Sequence, residues 1–364
     1  MTATGKPGAR NRVGRQTLRF PSRPVIISTG TAVGPREGQG PLGTGFDVVK
    51  KDTLFGEKSW EHAESHLLLE AAGAAVRKCG LTYADLDLMF AGDLLNQIVA
   101  SSFAARELDV PFVGLYAACS TMAESLALSA LFVDAGYAAR ALACSSSHHD
   151  SAERQYRYPT EFGAQRAPTS QWTVTGAGAA IVAAVGDGPV ITHATLGRVL
   201  DFGIKDPNDM GSAMAPAAVQ TILQHFQDTG FGPRDYDLVA TGDLAEVGQS
   251  IAALLLKEAG LDLAGRYTDC GLLIYDRSNQ DVQAGGSGCG CSAVVFCAHL
   301  MRRLLNRELG RLLLVSTGAL LSPTTYQQGD SIPCIAHAVT VERAGPAPSP
   351  RGPCPAAGGG AMLR

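Results

Sequence analysis

The chain has 364 residues, 46% hydrophobic and 18% charged, which supplies a large buried core and excludes a disordered chain. With 30 Lys plus Arg against 34 Asp plus Glu the net charge is −4, so no global basic field points to nucleic acid. The longest uncharged apolar run, 176–185, falls well short of the ~20 residues of a membrane-spanning helix, and the first residues lack the apolar stretch of a secretory signal. Nine cysteines at positions 79, 119, 144, 270, 289, 291, 297, 334 and 354 share no repeated spacing, which argues against a disulfide framework and for a reducing compartment.

In chain order, residues 1–21 are basic and polar and read as a disordered tail, with electrostatic contact to an anionic membrane surface as the alternative. Trp60, Ala63, Leu67, Ala71, Ala74 and Val76 give a helical face that stops at Gly80. Residues 86–91 form an all-but-continuous apolar run of strand length, a helix ends at 104–108, and 112–116 is a second buried strand. A helix over 121–135 and a strand over 140–144 follow. Strand–helix alternation of this kind predicts a mainly parallel sheet with helices on both faces. Residues 344–364 are Pro/Gly-rich and read as a second disordered tail.

The second half repeats the first. Gly80, Asp85, Asp87-Leu88 and Gly92-Asp93-Leu94 recur as Gly230, Asp235, Asp237-Leu238 and Gly242-Asp243-Leu244, each 150 positions on. Cys119 and Cys270 are 151 apart, and Arg140-x-Leu142-x-x-Ser145 resembles Arg311-x-Leu313-x-x-Ser316 at 171. A period this long is no solenoid; it predicts one duplicated α/β unit with halves 22–188 and 189–343, Cys119 superposing near Cys270.

The most specific chemical signal is Leu115-Tyr-Ala-Ala-Cys119-Ser-Thr-Met-Ala-Glu124, a strand running through small residues into a helix. A cysteine at a helix N-terminus meets unpaired N–H groups and a dipole that favour the thiolate, the usual means of activating an acyl-accepting nucleophile; the alternative is a small core cysteine. His148-His149 follow the third strand, where ligands of α/β sheets gather, and His337 precedes the last strand; each is either pocket lining or a satisfied structural histidine. Cys289-x-Cys291 is half a zinc site, so no metal is expected. Arg154 and Arg157, flanked by Tyr156 and Tyr158, read either as a solvated loop or as a clamp for a flat dianion, guanidinium forks on carboxylates and phenol rings on an aromatic plane.

Ala117-Ala-Cys119-Ser, Thr175-Gly-Ala-Gly-Ala-Ala-Ile181 and Gly285-Gly-Ser-Gly-Cys-Gly-Cys-Ser292 resemble the nucleophile turn, the Gly-rich turn and a late glycine loop of the β-ketoacyl synthase III and thiolase superfamily. That resemblance implies a duplicated, thiolase-like five-layer αβαβα fold, dimerisation and no cofactor. Ser28-Thr-Gly-Thr-Ala-Val-Gly-Pro35, Gly92-Asp-Leu-Leu-Asn-Gln97, Ala152-Glu-Arg-Gln-Tyr-Arg-Tyr-Pro-Thr-Glu161, Asp209-Met-Gly-Ser-Ala-Met-Ala-Pro216 and Gly318-Ala-Leu-Leu-Ser-Pro323 are similar, more narrowly, to the stage V sporulation protein AD family of spore-forming bacteria. Over roughly residues 22–343 that resemblance implies a soluble protein held peripherally at the spore inner membrane with other stage V sporulation membrane proteins. It also implies binding of dipicolinic acid (pyridine-2,6-dicarboxylate), with or without Ca2+, and support of calcium-dipicolinate uptake.

The departures from the enzymes are as informative. Condensing enzymes pair the cysteine with a histidine and a second histidine or asparagine, yet no histidine falls between 226 and 298; Asp243 and Ser287 stand near the two partner positions. A carboxylate there would raise the thiol pKa. The reading is therefore a non-catalytic binding protein whose pocket gathers Cys119, Asp93, Asn96, His148, Arg154, Arg157, Tyr158, Ser287, Cys289 and His337. The alternatives are an acyltransferase or condensing enzyme using Cys119, and a scaffold with a vestigial pocket.

Overall fold

The computed structural model describes residues 10–157, 165–343 and 345. Ten strands make the body: β1 (Val25–Val33), β2 (Leu88–Gly92), β3 (Phe112–Gly114), β4 (Arg140–Ser147), β5 (Gly176–Ala183), β6 (Val190–Thr195), β7 (Leu238–Thr241), β8 (Tyr267–Asp269), β9 (Arg311–Ala319) and β10 (Cys334–Glu342). Their lateral order, β8-β7-β9-β10-β6-β1-β5-β4-β2-β3, reads as the same five-strand arrangement in both directions from the centre. The two halves of that order meet through the single register pair Val190 with Val25.

Each half is mixed rather than mainly parallel. β4-β2-β3 and β9-β7-β8 are parallel, whereas β1-β5-β4 and β6-β10-β9 are antiparallel. The parallel pattern expected from sequence fails at the end of each half, where β4 with β5 and β9 with β10 pair antiparallel, joined through the short helices His149–Tyr156 and Pro323–Gln327.

Among the described residues six helices and one composite helix surround the strands. α1 (Trp60–Lys78) and α2 (Val99–Leu108) cover the outer face of the first half; α5 (Met210–Thr229) and α6 (Ala245–Glu258) cover that of the second. Between the sheets lie α3 (Thr121–Asp134) and α7, which runs Cys289–Val294, a π-helical turn Val295–Leu300, and Met301–Leu305. α4 (His149–Tyr156) follows β4. Ser59 caps α1 by accepting the His62 N–H, and Gly80, at φ +69, stands just past its end, as the sequence predicts. Strands β1 and β5 use small residues to admit helices: a Cβ at Gly30 would lie 2.1 Å from the Ala71 carbonyl of α1, and one at Gly178 would lie 2.6 Å from the Ala293 backbone of α7. The largest buried cluster, with Met122, Leu126, Val294 and Phe296, fills the space around the two central helices.

Two expectations are corrected. Residues 12–19 are not a loose tail: Arg12–Val13 and Thr17–Arg19 form a hairpin that pairs with β6. Asp228 clamps it, accepting the N–H groups of Arg15, Gln16 and Thr17 at 2.9, 2.8 and 3.0 Å. The rest of both expected tails, 1–9 and most of 344–364, lies outside the described residues. Cys270, for its part, opens the short helix Cys270–Leu273 directly after β8, whereas Cys119 stands at the entrance to a central helix. The residue at that entrance in the second half is Cys289, because some fifteen residues intervene between the short helix and α7.

Candidate binding cavity at Cys119

The entrance to α3 is a tight turn, Ala118–Ser120, with Ala118 at φ +50 and the Ser120 and Thr121 hydroxyls donating back to the Ala117 and Ala118 carbonyls at 2.7 Å each. Gly318 of β9 lies under it; a Cβ there would meet the Ala117 carbonyl oxygen at 2.6 Å. The turn thereby presents Cys119, only 8% exposed, to a cavity of about 320 Å³ between the two halves. Opposite, the entrance to α7 puts Cys289 against the same turn, its S–H donating to the Ala118 carbonyl at 2.9 Å. Cys119 hydrogen-bonds Cys289 as well.

Asp243, just past β7, closes the group from below. It accepts the Thr317 hydroxyl at 2.5 Å and the Gly288 N–H at 2.9 Å, and burial pushes its carboxyl up to about 6. The hydrogen bond with Cys289, then burial, then the negative charge of Asp243 push the Cys119 thiol well above its usual value. Cys119 is a neutral thiol at physiological pH.

Four expected site residues line the cavity: Cys119, Asn96, Arg157 and Ser287. Ser287 arrives through a two-residue parallel ladder in which Gly286–Ser287 pairs with Trp172–Thr173. Asn96 sits on a turn that holds Gln97 and Ile98 at φ 58 and 48, both left-handed and neither glycine. That turn is tied to α4, since the Asn96 N–H donates to Gln155 Oε1 at 2.9 Å and the Tyr156 hydroxyl bonds the Leu94 carbonyl. Arg157 follows α4; its Nη1 pairs with Glu153 at 2.6 Å and its Nε donates to the Pro207 carbonyl at 3.3 Å.

Five others do not line it. Asp93 is buried beneath the turn, accepting the Leu95 N–H at 2.9 Å and the Ser101 N–H and hydroxyl at 2.8 and 2.7 Å, so it shapes the wall. His148 caps α4, with Nε2 bonded to the Thr53 carbonyl at 2.7 Å and Nδ1 accepting the Asp150 N–H. His337, on β10, accepts the Gly197 N–H at 3.1 Å. Arg154 points outward, its side chain 47% exposed, paired with Glu61 and lying over Trp60. Cys289 stands behind Cys119 and is fully buried. Tyr158 lies outside the described residues.

The sequence reading missed Tyr116, Met210, Met214 and residues 319–323 as lining, and treated Tyr156 only as a neighbour of the arginines. The last two groups occupy the segments Asp209-to-Pro216 and Gly318-to-Pro323 already singled out by resemblance, which was the available signal. Tyr116 donates to Asn96 Oδ1 at 3.3 Å and lies 3.4 Å from the Tyr156 hydroxyl. The wall is thus largely apolar, with a phenol–amide edge and a single charged lining side chain among the described residues, Arg157. Among those residues no cluster of three or more His, Cys, Asp or Glu is placed to hold a metal ion, and no helix is long and apolar enough to cross a membrane.

Comparison with known proteins follows the same line. The chain resembles the 3-oxoacyl-[acyl-carrier-protein] synthase III of Aquifex aeolicus VF5 at 14% identity, with a TM-score of 0.55 over 88% of this chain and 99% of that one. An OleA structure from Xanthomonas campestris gives 16% identity and a TM-score of 0.56 over 89% and 99%. These fix the fold as thiolase-like. The chain is also 50% identical over 332 residues to the stage V sporulation protein AD of Bacillus subtilis (strain 168), covering 91% of this chain and 98% of that protein. The sequence model of the family "Stage V sporulation protein AD (SpoVAD)" matches residues 14–342, and the chain belongs to that family.

Proposed function

We propose that the protein is a non-catalytic member of the thiolase-like fold that binds dipicolinate in the Cys119 cavity and supports uptake of its calcium salt into the developing spore. The observation that carries this reading is Arg157, the one lining cation among the described residues, on an otherwise largely apolar wall edged by Tyr116, Tyr156 and Asn96. A guanidinium holds one carboxylate, hydroxyl and amide groups take the other, and apolar and aromatic side chains take the ring. A neutral thiol adjoins the ligand without attacking it, because no described histidine reaches Cys119 to accept its proton and Asp243 opposes the thiolate. Family membership supports a role in sporulation; a place beside the membrane proteins of the same stage and a homodimer belong to the same proposal.

Calorimetric titration tests the reading. The parent protein should bind dipicolinate, and Arg157→Gln should weaken binding roughly 10- to 150-fold, the loss of a charge-assisted hydrogen bond of about 1.5–3 kcal/mol. Absence of binding by the parent removes the function. The enzyme reading predicts instead a stable acyl adduct on Cys119 after exposure to acyl-CoA, visible by mass spectrometry and lost in Cys119→Ala.

A further inference from the structure

Arg157 does not stand alone in its wall. Glu153, one turn earlier on α4 and with its side chain 2% exposed, is shared by two guanidinium groups: Arg157 Nη1 at 2.6 Å from Oε1, and Arg166 Nη2 at 3.3 Å from Oε2. Among the described residues no other carboxylate is paired with either arginine. Both cations are largely withdrawn from water, with side-chain exposures of 7% and 18%. Arg166 is held in place by other means: Nη1 donates to the Gln171 carbonyl at 3.2 Å, Nη2 lies 3.3 Å from His149 Nε2, and the guanidinium covers the Trp172 ring at 4.8 Å. His149 stacks on Trp172, with ring centroids 3.7 Å apart and planes 2° from parallel. An arginine only donates, so Nε2 accepts and the imidazole is neutral; it offers Arg166 no counter-charge.

We propose that Arg166, although it does not line the cavity, is a positioning residue that sets its charge: by sharing Glu153 it leaves the Arg157–Glu153–Arg166 group, among the described residues, with one positive charge in excess, and a carboxylate of the bound ligand supplies the counter-ion. Two arginines on one carboxylate give a surplus of a single charge, and in a half-dry wall such a surplus is costly until an anion arrives. The ligand class that follows is an anion, with preference for two charges over one. The inference rests on the cavity being the dicarboxylate site.

The test compares three ligands of the same ring on the full chain: dipicolinate, picolinate (one carboxylate) and the dimethyl ester of dipicolinate (none). Arg166→Gln leaves Glu153 to neutralise Arg157 completely. At an effective dielectric near 20 and a separation of about 12 Å, removing a unit charge should weaken picolinate roughly tenfold and dipicolinate, with two charges, up to roughly a hundredfold, and leave the ester unchanged. The salt dependence of dipicolinate binding should flatten in the same variant, and Arg166→Lys should stay within about threefold of the parent. Arg166→Met serves if the Gln variant does not fold. Parent-like dipicolinate binding without Arg166, or equal losses for all three ligands, overturns the inference and leaves the dicarboxylate site standing. No dipicolinate binding by the parent overturns both.

Discussion

Asp93 and Asp243 are the same residue of a duplicated unit, each in a Gly-Asp-Leu segment just past the second strand of its half, and burial pushes both up to about 6. Their partners differ. Asp93 spends its oxygens on its own turn, on Leu95 and Ser101, and faces the buried Glu64; it builds the wall that carries Asn96. Asp243 reaches across to Thr317 and Gly288 and lies beside Cys119. The central cysteines diverge in the same way, Cys119 opening on the cavity and Cys289 sealed behind it. Duplication supplies two equivalent backbones; the hydrogen-bond partners decide which copy shapes the pocket and which sets the chemistry of its thiol.

Breaking the bonds of Asp243 should have the largest effect. Asp243→Ala strands the Thr317 hydroxyl and the Gly288 N–H in a dry interior, and chemical denaturation should show a loss of about 3 kcal/mol. Asp243→Asn keeps most of the bonding but removes the charge, so Cys119 should fall toward its ordinary pKa. Iodoacetamide labelling of Cys119 at fixed pH should accelerate about tenfold for each unit the thiol falls. Asp93→Asn, the same change in the other copy, should leave Cys119 labelling within about twofold.

The pH dependence separates the copies further. Both carboxyls are raised in the folded protein, so each contributes stability that is fully present below its unfolded pKa near 3.8 and is lost as pH rises through about 6. The buried histidines act oppositely: His148, His193 and His337 are lowered to about 4 by burial, so their contribution is present above about 6.5 and lost as pH falls. The parent profile is the sum of these. The difference in melting temperature between Asp243→Asn and the parent isolates one carboxyl, and it should shift in favour of the variant between pH 5 and pH 8. A flat difference would mean that Asp243 is not the group titrating near 6. At the small end, Arg154→Gln removes an exposed ion pair worth at most about 1 kcal/mol and should leave ligand binding unchanged.

Much of this was legible in the sequence. The turn at Cys119, the helix ending at Gly80 and the repeat through Asp93 and Asp243 are local or periodic signals, and they survive into the fold. The missing histidines were readable too, because an absence over 226–298 needs no geometry. What was not legible was direction. Arg154 and Arg157 are three apart, yet one faces solvent over Trp60 and the other the cavity, since the end of α4 turns between them. His148 and His337 were plausible lining until their ring nitrogens proved bonded to backbone. The pairing of Cys119 with Cys289 was present but misread: the repeat slips from 150 to 171 positions between Asp93 and Arg140, and Cys119 to Cys289 is 170, so the cysteine follows the later spacing.

The most direct measurement is a crystal structure of the protein with dipicolinate. The account predicts the ring in the Cys119 cavity, one carboxylate within hydrogen-bonding distance of the Arg157 guanidinium, and an unmodified thiol beside it. A ligand seated elsewhere on the chain, with the cavity empty and Arg157 still paired only with Glu153, would contradict it.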